Sequence, residues 1–214
     1  MPRDAFAHVR HWVFDLDNTL YPPDINLFPQ IEQRINAFVM RELGLDADAA
    51  QDLRHRYWRA HGTTLRGLML HHDTDPDPFL AEVHDIDLSA IAPDPGLAAR
   101  LAALPGRRIV FTNGSRQHAR NVTRSLGISH LFDGLYGIED AGYEPKPAPA
   151  AFARIFAAAS IDGPKAAMFE DEARNLATPH RLGMRTVLVG DDDPFAGHVQ
   201  HRTASLHDFL DRIA

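Results

Sequence analysis

The chain has 214 residues, 44% hydrophobic and 24% charged, with a formal charge of −7, which is room for one good-sized domain or one domain with a modest insertion. It has no cysteine, which excludes thiolate nucleophiles, disulfides and sulfur-ligated metals, and no basic tract of the kind that tracks a nucleic acid polymer. No apolar run approaches the ~18–20 residues of a membrane span, the start from Met1 to Arg10 is short and polar rather than signal-like, and a cytoplasmic location is the expectation. An acidic chain can still bind an anion, but only through local cations or a bound metal.

In chain order, His11-Trp12-Val13-Phe14 reads as a buried strand that ends in Asp15-Leu16-Asp17. Helical patterns follow over 29–43, where Ile31, Ile35, Phe38, Val39 and Leu43 share a stripe and Gly44 stops the helix, and then over 47–61 and 63–71. Asp73 to Pro78 is a loop or a helix start, 78–84 a short helix, and Ile91 to Gly96 a linker. A strand over Arg107–Phe111 then leads to Thr112-Asn113-Gly114 and a helix to Leu126. Gly134–Ile138 is a candidate short strand, 148–159 a helix, and Ala166–Phe169 a strand ending in Glu170-Asp171. A helix to Gly183, broken or kinked at Pro179, precedes a last clear strand over Arg185–Val189.

Strands alternating with helices predict an α/β fold, a parallel sheet with helices on both faces. The helical stretch after the first strand interrupts that alternation. We therefore expect a core of residues 1–21 and 94–214 and an inserted helical cap of residues 22–93. Ligands of open α/β sheets sit beyond the carboxyl ends of the strands, and Asp15, Asp17, Thr112, Glu170 and Asp171 all lie at such ends.

Each of these elements has a chemical reading beside a plain one. Two acids spaced as Asp15 and Asp17 point to the same side of a strand and repel unless a cation lies between them; a solvated turn is the plain alternative. Mg2+ suits such a place, because it takes one or two carboxylates, waters and phosphate oxygens. Thr112 and the N–H groups of Asn113 and Gly114 precede a helix, as in an anion site or a simple cap. Lys146 is aimed by its flanking prolines and can neutralise phosphate charge. Glu170 and Asp171 offer further oxygen ligands or outer acceptors.

Phe14-Asp15-Leu16-Asp17-Asn18-Thr19-Leu20, Phe111-Thr112-Asn113-Gly114, Lys146-Pro147 and Phe169-Glu170-Asp171, in that order, strongly resemble the four motifs of the haloacid dehalogenase superfamily. The resemblance implies a Rossmann-like core with a variable cap and a Mg2+-dependent phosphatase. Asp15 is implied as nucleophile, Asp17 as acid and base, and Thr112, Asn113 and Lys146 as holders of the phosphoryl oxygens. The Asp15 and Asp171 carboxylates and the Asp17 carbonyl are implied around the metal. The family often has Asp where this chain has Glu170, so a direct or a water-mediated contact from that residue stays open.

Tyr57 to Leu68 and Gly137 to Pro147 are similar to segments of the pyrimidine 5′-nucleotidase branch. That similarity implies a small phosphate ester as substrate, a nucleoside monophosphate such as UMP or CMP, rather than a nucleic acid polymer or a membrane. Tyr57, Thr64, Arg66 and Arg116 are candidates to touch the base or sugar, with Gln117, His61, His71 and His72 behind them. Rival readings are a phosphatase on a sugar phosphate or phosphoglycolate, a phosphomutase, a 2-haloacid dehalogenase, which has no need of an acid at Asp17, and a non-catalytic phospho-acceptor module.

Overall fold

The apolar run starting at His11 becomes the central strand of a parallel sheet. The computed structural model describes residues 2–191 and 196–213. Its elements are α1 (Pro2–Phe6), β1 (His11–Phe14), α2 (Phe28–Leu43), α3 (Ala47–His61), α4 (Thr64–His72), α5 (Pro76–Val83), α6 (Pro95–Ala103) and β2 (Arg107–Phe111). There follow α7 (Arg116–Ser125), β3 (Gly134–Tyr136), α8 (Pro149–Ala159), β4 (Ala166–Glu170), α9 (Ala177–Arg181), β5 (Arg185–Val189), β6 (His201–Thr203) and α10 (Leu206–Ile213). The sheet has the order β3-β2-β1-β4-β5-β6, with every pair parallel.

The two-residue period of the strands sorts the core into two layers. Trp12, Phe14, Val110 and Phe169 face one side and pack with Phe6, Leu97, Val122 and Phe209. Val13, Ile109, Phe111 and Met168 face the other and pack with Phe152, Ile155 and Leu176. Helices therefore cover both faces, as the alternation predicts.

Between β1 and β2, helices α2 to α5 close around a third apolar cluster built from Phe38, Val39, Leu53, Leu65, Leu68 and Phe79. This is the helical cap. Each helix begins or ends on a residue suited to it. Asp46, Thr63 and Asp75 accept backbone N–H bonds at the starts of α3, α4 and α5, and Gly44 closes α2 in the left-handed conformation. The acid-rich stretch from Asp73 is thus a helix start.

Two elements differ from the sequence pattern. The segment after Asp171 is a 3₁₀ turn over Ala173–Leu176 followed by the short α9, so the break falls before Ala177 and not at Pro179. The chain also continues beyond β5 into β6 and α10. In α10, Leu206, Phe209, Leu210 and Ile213 are buried on one stripe, a signal present in the sequence at helical spacing.

Gly67 sits inside α4, where alanine is the better helix former. Its place is explained by Tyr57, whose ring lies so close that an added Cβ would stand 2.2 Å from the Tyr57 ring carbon Cγ. Gly67→Ala is expected to destabilise the protein by about 1–3 kcal/mol through overpacking, although helix propensity alone favours it by about 1 kcal/mol. Urea unfolding checks this, and a gain in stability would contradict the packing account.

Candidate active site

β1 and β4 are neighbours at the point where the strand order reverses, the place where open α/β sheets bind ligands. Asp15 follows β1 and stays in the ladder, its N–H donating to the Phe169 carbonyl at 2.9 Å. Glu170 ends β4, Asp171 follows it, and Thr112 follows β2. Lys146 comes from the loop before α8. Asn113 holds the backbone of that lysine on both sides: the Lys146 N–H donates to Asn113 Oδ1 at 2.8 Å, and Asn113 Nδ2 donates to the Lys146 carbonyl at 3.3 Å. So anchored, Lys146 is 1% exposed, and its Nζ donates to Asp15 Oδ1 at 2.5 Å and Glu170 Oε2 at 2.6 Å.

Asp15, Glu170 and Asp171 present carboxylate oxygens within 4.8 Å of one another. One ammonium cannot balance three carboxylates, two of them buried and that of Asp171 half-buried. Burial first, and then Glu170, pushes Asp15 up to about 8 against the pull of Lys146. Burial raises Glu170 to about 8, and burial with Asp15 raises Asp171 to about 7. For Lys146, the two carboxylates outweigh burial and hold it protonated. Glu170 is fully engaged: Oε2 lies on Lys146, and Oε1 accepts from the Glu172 N–H at 3.2 Å.

Asp17 departs from the strand-alternation argument. The strand ends at Phe14, and Leu16 to Leu20 form a tight turn in which the Leu20 N–H donates to the Leu16 carbonyl at 3.0 Å. The Asp17 carboxylate therefore swings to its own partners. Tyr21 OH donates to Oδ1 at 2.6 Å, and His118 Nε2 lies 2.7 Å from the same oxygen. Burial alone would raise Asp17, but the His118 charge and these two hydrogen bonds outweigh it and hold the group at about 2. His118 is buried and stacks on His84 of the cap with ring centroids 4.6 Å apart. Burial lowers His84 to about 4, which keeps it neutral. Tyr21 lies four residues after Asp17, a spacing that puts two side chains on one side of a helical turn. Nothing in the sequence singles out His118 from the 13 histidines.

A cavity of about 360 Å3 lies between core and cap. Asp15, Asp17, Thr64, Thr112, Asn113, Lys146, Glu170 and Asp171 line it, together with Arg54, Glu32, Trp58 and Arg174, which the sequence reading did not single out. Tyr57, Arg66 and Arg116 do not line it. Tyr57 is turned onto Gly67, and its hydroxyl lies 2.7 Å from His72 Nε2. Arg66 is paired with Glu144 at 2.5 Å, and Arg116 with Asp140 at 3.2 Å. Gln117 bonds Asn121, and His61 and His71 face each other at 3.0 Å away from the cavity. Thr112 Oγ1 accepts from the Gly114 N–H at 2.9 Å.

The family description of haloacid dehalogenase-like hydrolases matches residues 9–183. The chain belongs to this family. Among curated proteins, this hydrolase is 29% identical to Phosphate metabolism protein 8 of Saccharomyces cerevisiae over 133 residues, 57% of this chain and 41% of that one. It thus spans less than half the length of that relative. Among solved structures it resembles the L-2-haloacid dehalogenase of Xanthobacter autotrophicus, with a TM-score of 0.62, 16% identity and coverage of 95% and 97% of the two chains. It also resembles a HAD phosphatase of Thermococcus onnurineus, with a TM-score of 0.64, 16% identity and coverage of 96% and 98%. At such identities the likeness concerns the fold alone, and the chemistry rests on the hydrolase's own side chains.

The donor set fits a hard divalent cation such as Mg2+, being all oxygen and carrying more negative charge than Lys146 can offset. The pH dependence follows. Asp15, Glu170 and Asp171 keep protons in the folded hydrolase at pH values where the unfolded chain has lost them. Folded molecules then bind more protons, and stability falls as pH rises between the two sets of pKa values. Asp17 has the opposite sign: its stabilisation is present above the ordinary aspartate value of 3.8 and is lost as pH falls toward about 2. In EDTA, Tm is expected to fall between about pH 5 and about pH 8, with excess Mg2+ restoring more of it at the upper end. A Mg2+-induced rise in Tm that shrinks with increasing pH would contradict the charge imbalance.

Proposed function

We propose that this hydrolase is a Mg2+-dependent phosphomonoesterase that works through an aspartyl-phosphate on Asp15, and that its substrate is a nucleoside monophosphate, in the first instance UMP or CMP. The observation that carries the reading is the bridge from Lys146 Nζ to Asp15 and Glu170, beside an Asp17 held by His118 and Tyr21. The resemblance of the 57–68 and 137–147 segments to the pyrimidine 5′-nucleotidase branch supports the substrate. On this reading residues 22–93 act as the cap over a core of 1–21 and 94–214.

Asp15 Oδ attacks phosphorus, an acyl phosphate bond forms, and the ester P–O bond breaks. Lys146 fixes the orientation of the attacking carboxylate and places positive charge beside the phosphoryl oxygens. The departing alkoxide needs a proton. Asp17 is ionised while the cavity is empty of substrate, but a phosphate dianion beside it raises its proton affinity, so that it takes up a proton with the substrate and passes it to the alkoxide while His118 Nε2 at 2.7 Å and Tyr21 OH orient its carboxylate. Water then attacks phosphorus, Asp17 accepts its proton, phosphate leaves and Asp15 is restored. Thr112 and the Asn113 N–H hold phosphoryl oxygens, and the Asn113 side chain keeps the lysine in place. The Asp15 and Asp171 carboxylates with the Asp17 main-chain carbonyl would hold Mg2+, with Glu170 acting as an outer acceptor through Lys146. When bound, the ion would offset charge on the nucleophile and the phosphoryl oxygens together.

A dehalogenase would use the same nucleophile on carbon, where a halide departs without a proton. The buried Asp17–His118–Tyr21 arrangement has no task in that reaction, which favours the phosphatase. Asp15→Asn is expected to abolish turnover with the thermal transition kept, and substantial residual phosphate release would reject the mechanism. In Asp17→Asn, kcat/KM for nucleoside monophosphates is expected to fall by about 10²–10⁴-fold and for p-nitrophenyl phosphate far less, because kcat/KM reports the phosphorylation step and nitrophenolate leaves unprotonated, whereas kcat falls for both esters because hydrolysis of the intermediate has lost its base. Equal losses of kcat/KM on both esters would count against the proton role.

A further inference from the structure

Among the described residues of the cavity's cap wall, one buried side-chain polar atom has no partner. Arg54 lies on α3 one helical turn before Trp58, and both line the cavity. Its side chain is only 10% exposed, and its Nε–H is buried with no acceptor. Burial lowers the guanidinium pKa against the pull of Glu32. Among the described residues the carboxylate paired with it is that of Glu32, 3.3 Å from one terminal nitrogen and itself half exposed on the same cavity. A guanidinium carries five donors in a fixed plane, and one contact at that distance leaves most of them open.

Apart from the exposed rings of His55 and Trp58, the rest of that wall is largely apolar or already hydrogen-bonded. Ile31, Ile35, Leu65, Phe79, Leu80 and Val83 supply carbon. Thr63 Oγ1 is spent on the Arg66 N–H, Thr64 Oγ1 on the Arg54 carbonyl, and His84 Nδ1 on the Leu80 carbonyl. A bare sugar would set several hydroxyls against apolar side chains, where unpaired polar groups are disfavoured. A flat ring with one polar edge meets both conditions, apolar faces against carbon and an edge against the Arg54–Glu32 pair. Arg54 donates and Glu32 accepts, side by side. Uracil presents a carbonyl oxygen beside its N3–H, and cytosine presents N3 beside its exocyclic amino group, so each edge pairs an acceptor with a donor in the same way.

We propose that Arg54, set by Glu32, reads the polar edge of the nucleobase carried by the leaving group and so makes the enzyme choose nucleoside monophosphates over bare sugar phosphates. The assignment rests on the phosphomonoesterase reading above and deepens it. Arg54 is a specificity residue on the cap wall, and its contribution belongs mainly to KM.

The test compares kcat/KM for UMP with that for ribose 5-phosphate, which is the same ester without the base, in the wild type, Arg54→Met and Glu32→Gln. Acetyl phosphate, with a leaving group too small to reach the cap, reports an intact catalytic floor. The wild type is expected to prefer UMP. In Arg54→Met the ratio is expected to fall about 10-fold or more, mostly through the KM of UMP, while acetyl phosphate stays within about threefold. Glu32→Gln is expected to lower the ratio by a smaller factor.

A ratio unchanged in Arg54→Met overturns the assignment even if UMP is a good substrate. If Arg54→Met loses its cooperative thermal transition, the half-exposed Glu32→Gln decides: a lowered ratio supports the assignment and an unchanged one overturns it. Failure of the underlying reading looks different. A wild type that turns over acetyl phosphate but takes UMP no better than ribose 5-phosphate removes the nucleotide substrate, and the role of Arg54 with it. A wild type inactive on all three esters with Mg2+ removes the phosphatase itself.

Discussion

One buried ammonium ion facing the buried carboxylates of Asp15 and Glu170, with half-buried Asp171 beside them, is the constraint around which this molecule is arranged. Lys146 is among the most deeply buried large side chains of the protein, a position lysine occupies only when paired. Its two bonds to Asp15 and Glu170 bring together the loop before α8 and the ends of the two adjacent strands β1 and β4. Those strands flank the reversal in sheet order, so the crevice that the topology opens also carries more negative charge than its one lysine offsets. A dry site with excess negative charge retains its protons or takes up a cation. Such a site can work on phosphate only after its charge has been offset, which ties metal binding, proton binding and stability to the same few side chains.

The cap takes part in placing that lysine. The loop that carries it touches the cap at three successive residues. Tyr143 OH donates to Asp77 at 2.8 Å, and Glu144 pairs with Arg66 at 2.5 Å. Pro145 packs against Gly62, which lies at φ 86° and so near that an added Cβ would stand 2.8 Å from the proline ring. Arg174 lies over the Trp58 ring at 3.9 Å and donates to the carbonyl of the same Gly62 at 3.5 Å. The cap wall and the acidic floor of the cavity are therefore connected through the peptide segment that carries Lys146. Arg66, which the sequence reading took for a substrate contact, belongs to this connection.

The fold and the floor of the site were legible in the sequence because both follow from short-range rules. Alternation in β1 and β2 separates the two layers, and caps such as Asp46 and Gly44 delimit the helices within a residue or two of where the pattern puts them. Acids at strand ends converge whenever the strands are parallel. The cap wall was not legible. Tyr57 and Arg54 lie three residues apart on α3, and which of them faces the cavity depends on how α3 rotates against α4. The close approach of Tyr57 to Gly67 sets that rotation, and it is a tertiary contact that no local pattern reports. The orientation of Asp17 escaped for a similar reason, since it depends on His118, 101 residues away in the chain. β6, at three residues, is too short to carry a periodic signal, whereas the stripe of α10 was present and readable.

The central claim is that Asp15, restrained by Lys146, becomes covalently phosphorylated. It is tested most directly by stopping the Asp17→Asn variant in acid during turnover of p-nitrophenyl phosphate, reducing with borohydride and mapping the peptides by mass spectrometry. Borohydride converts an aspartyl-phosphate to homoserine, so the account predicts homoserine at position 15 and nowhere else. Homoserine at another aspartate, or phosphate release with no reducible intermediate at all, would contradict it.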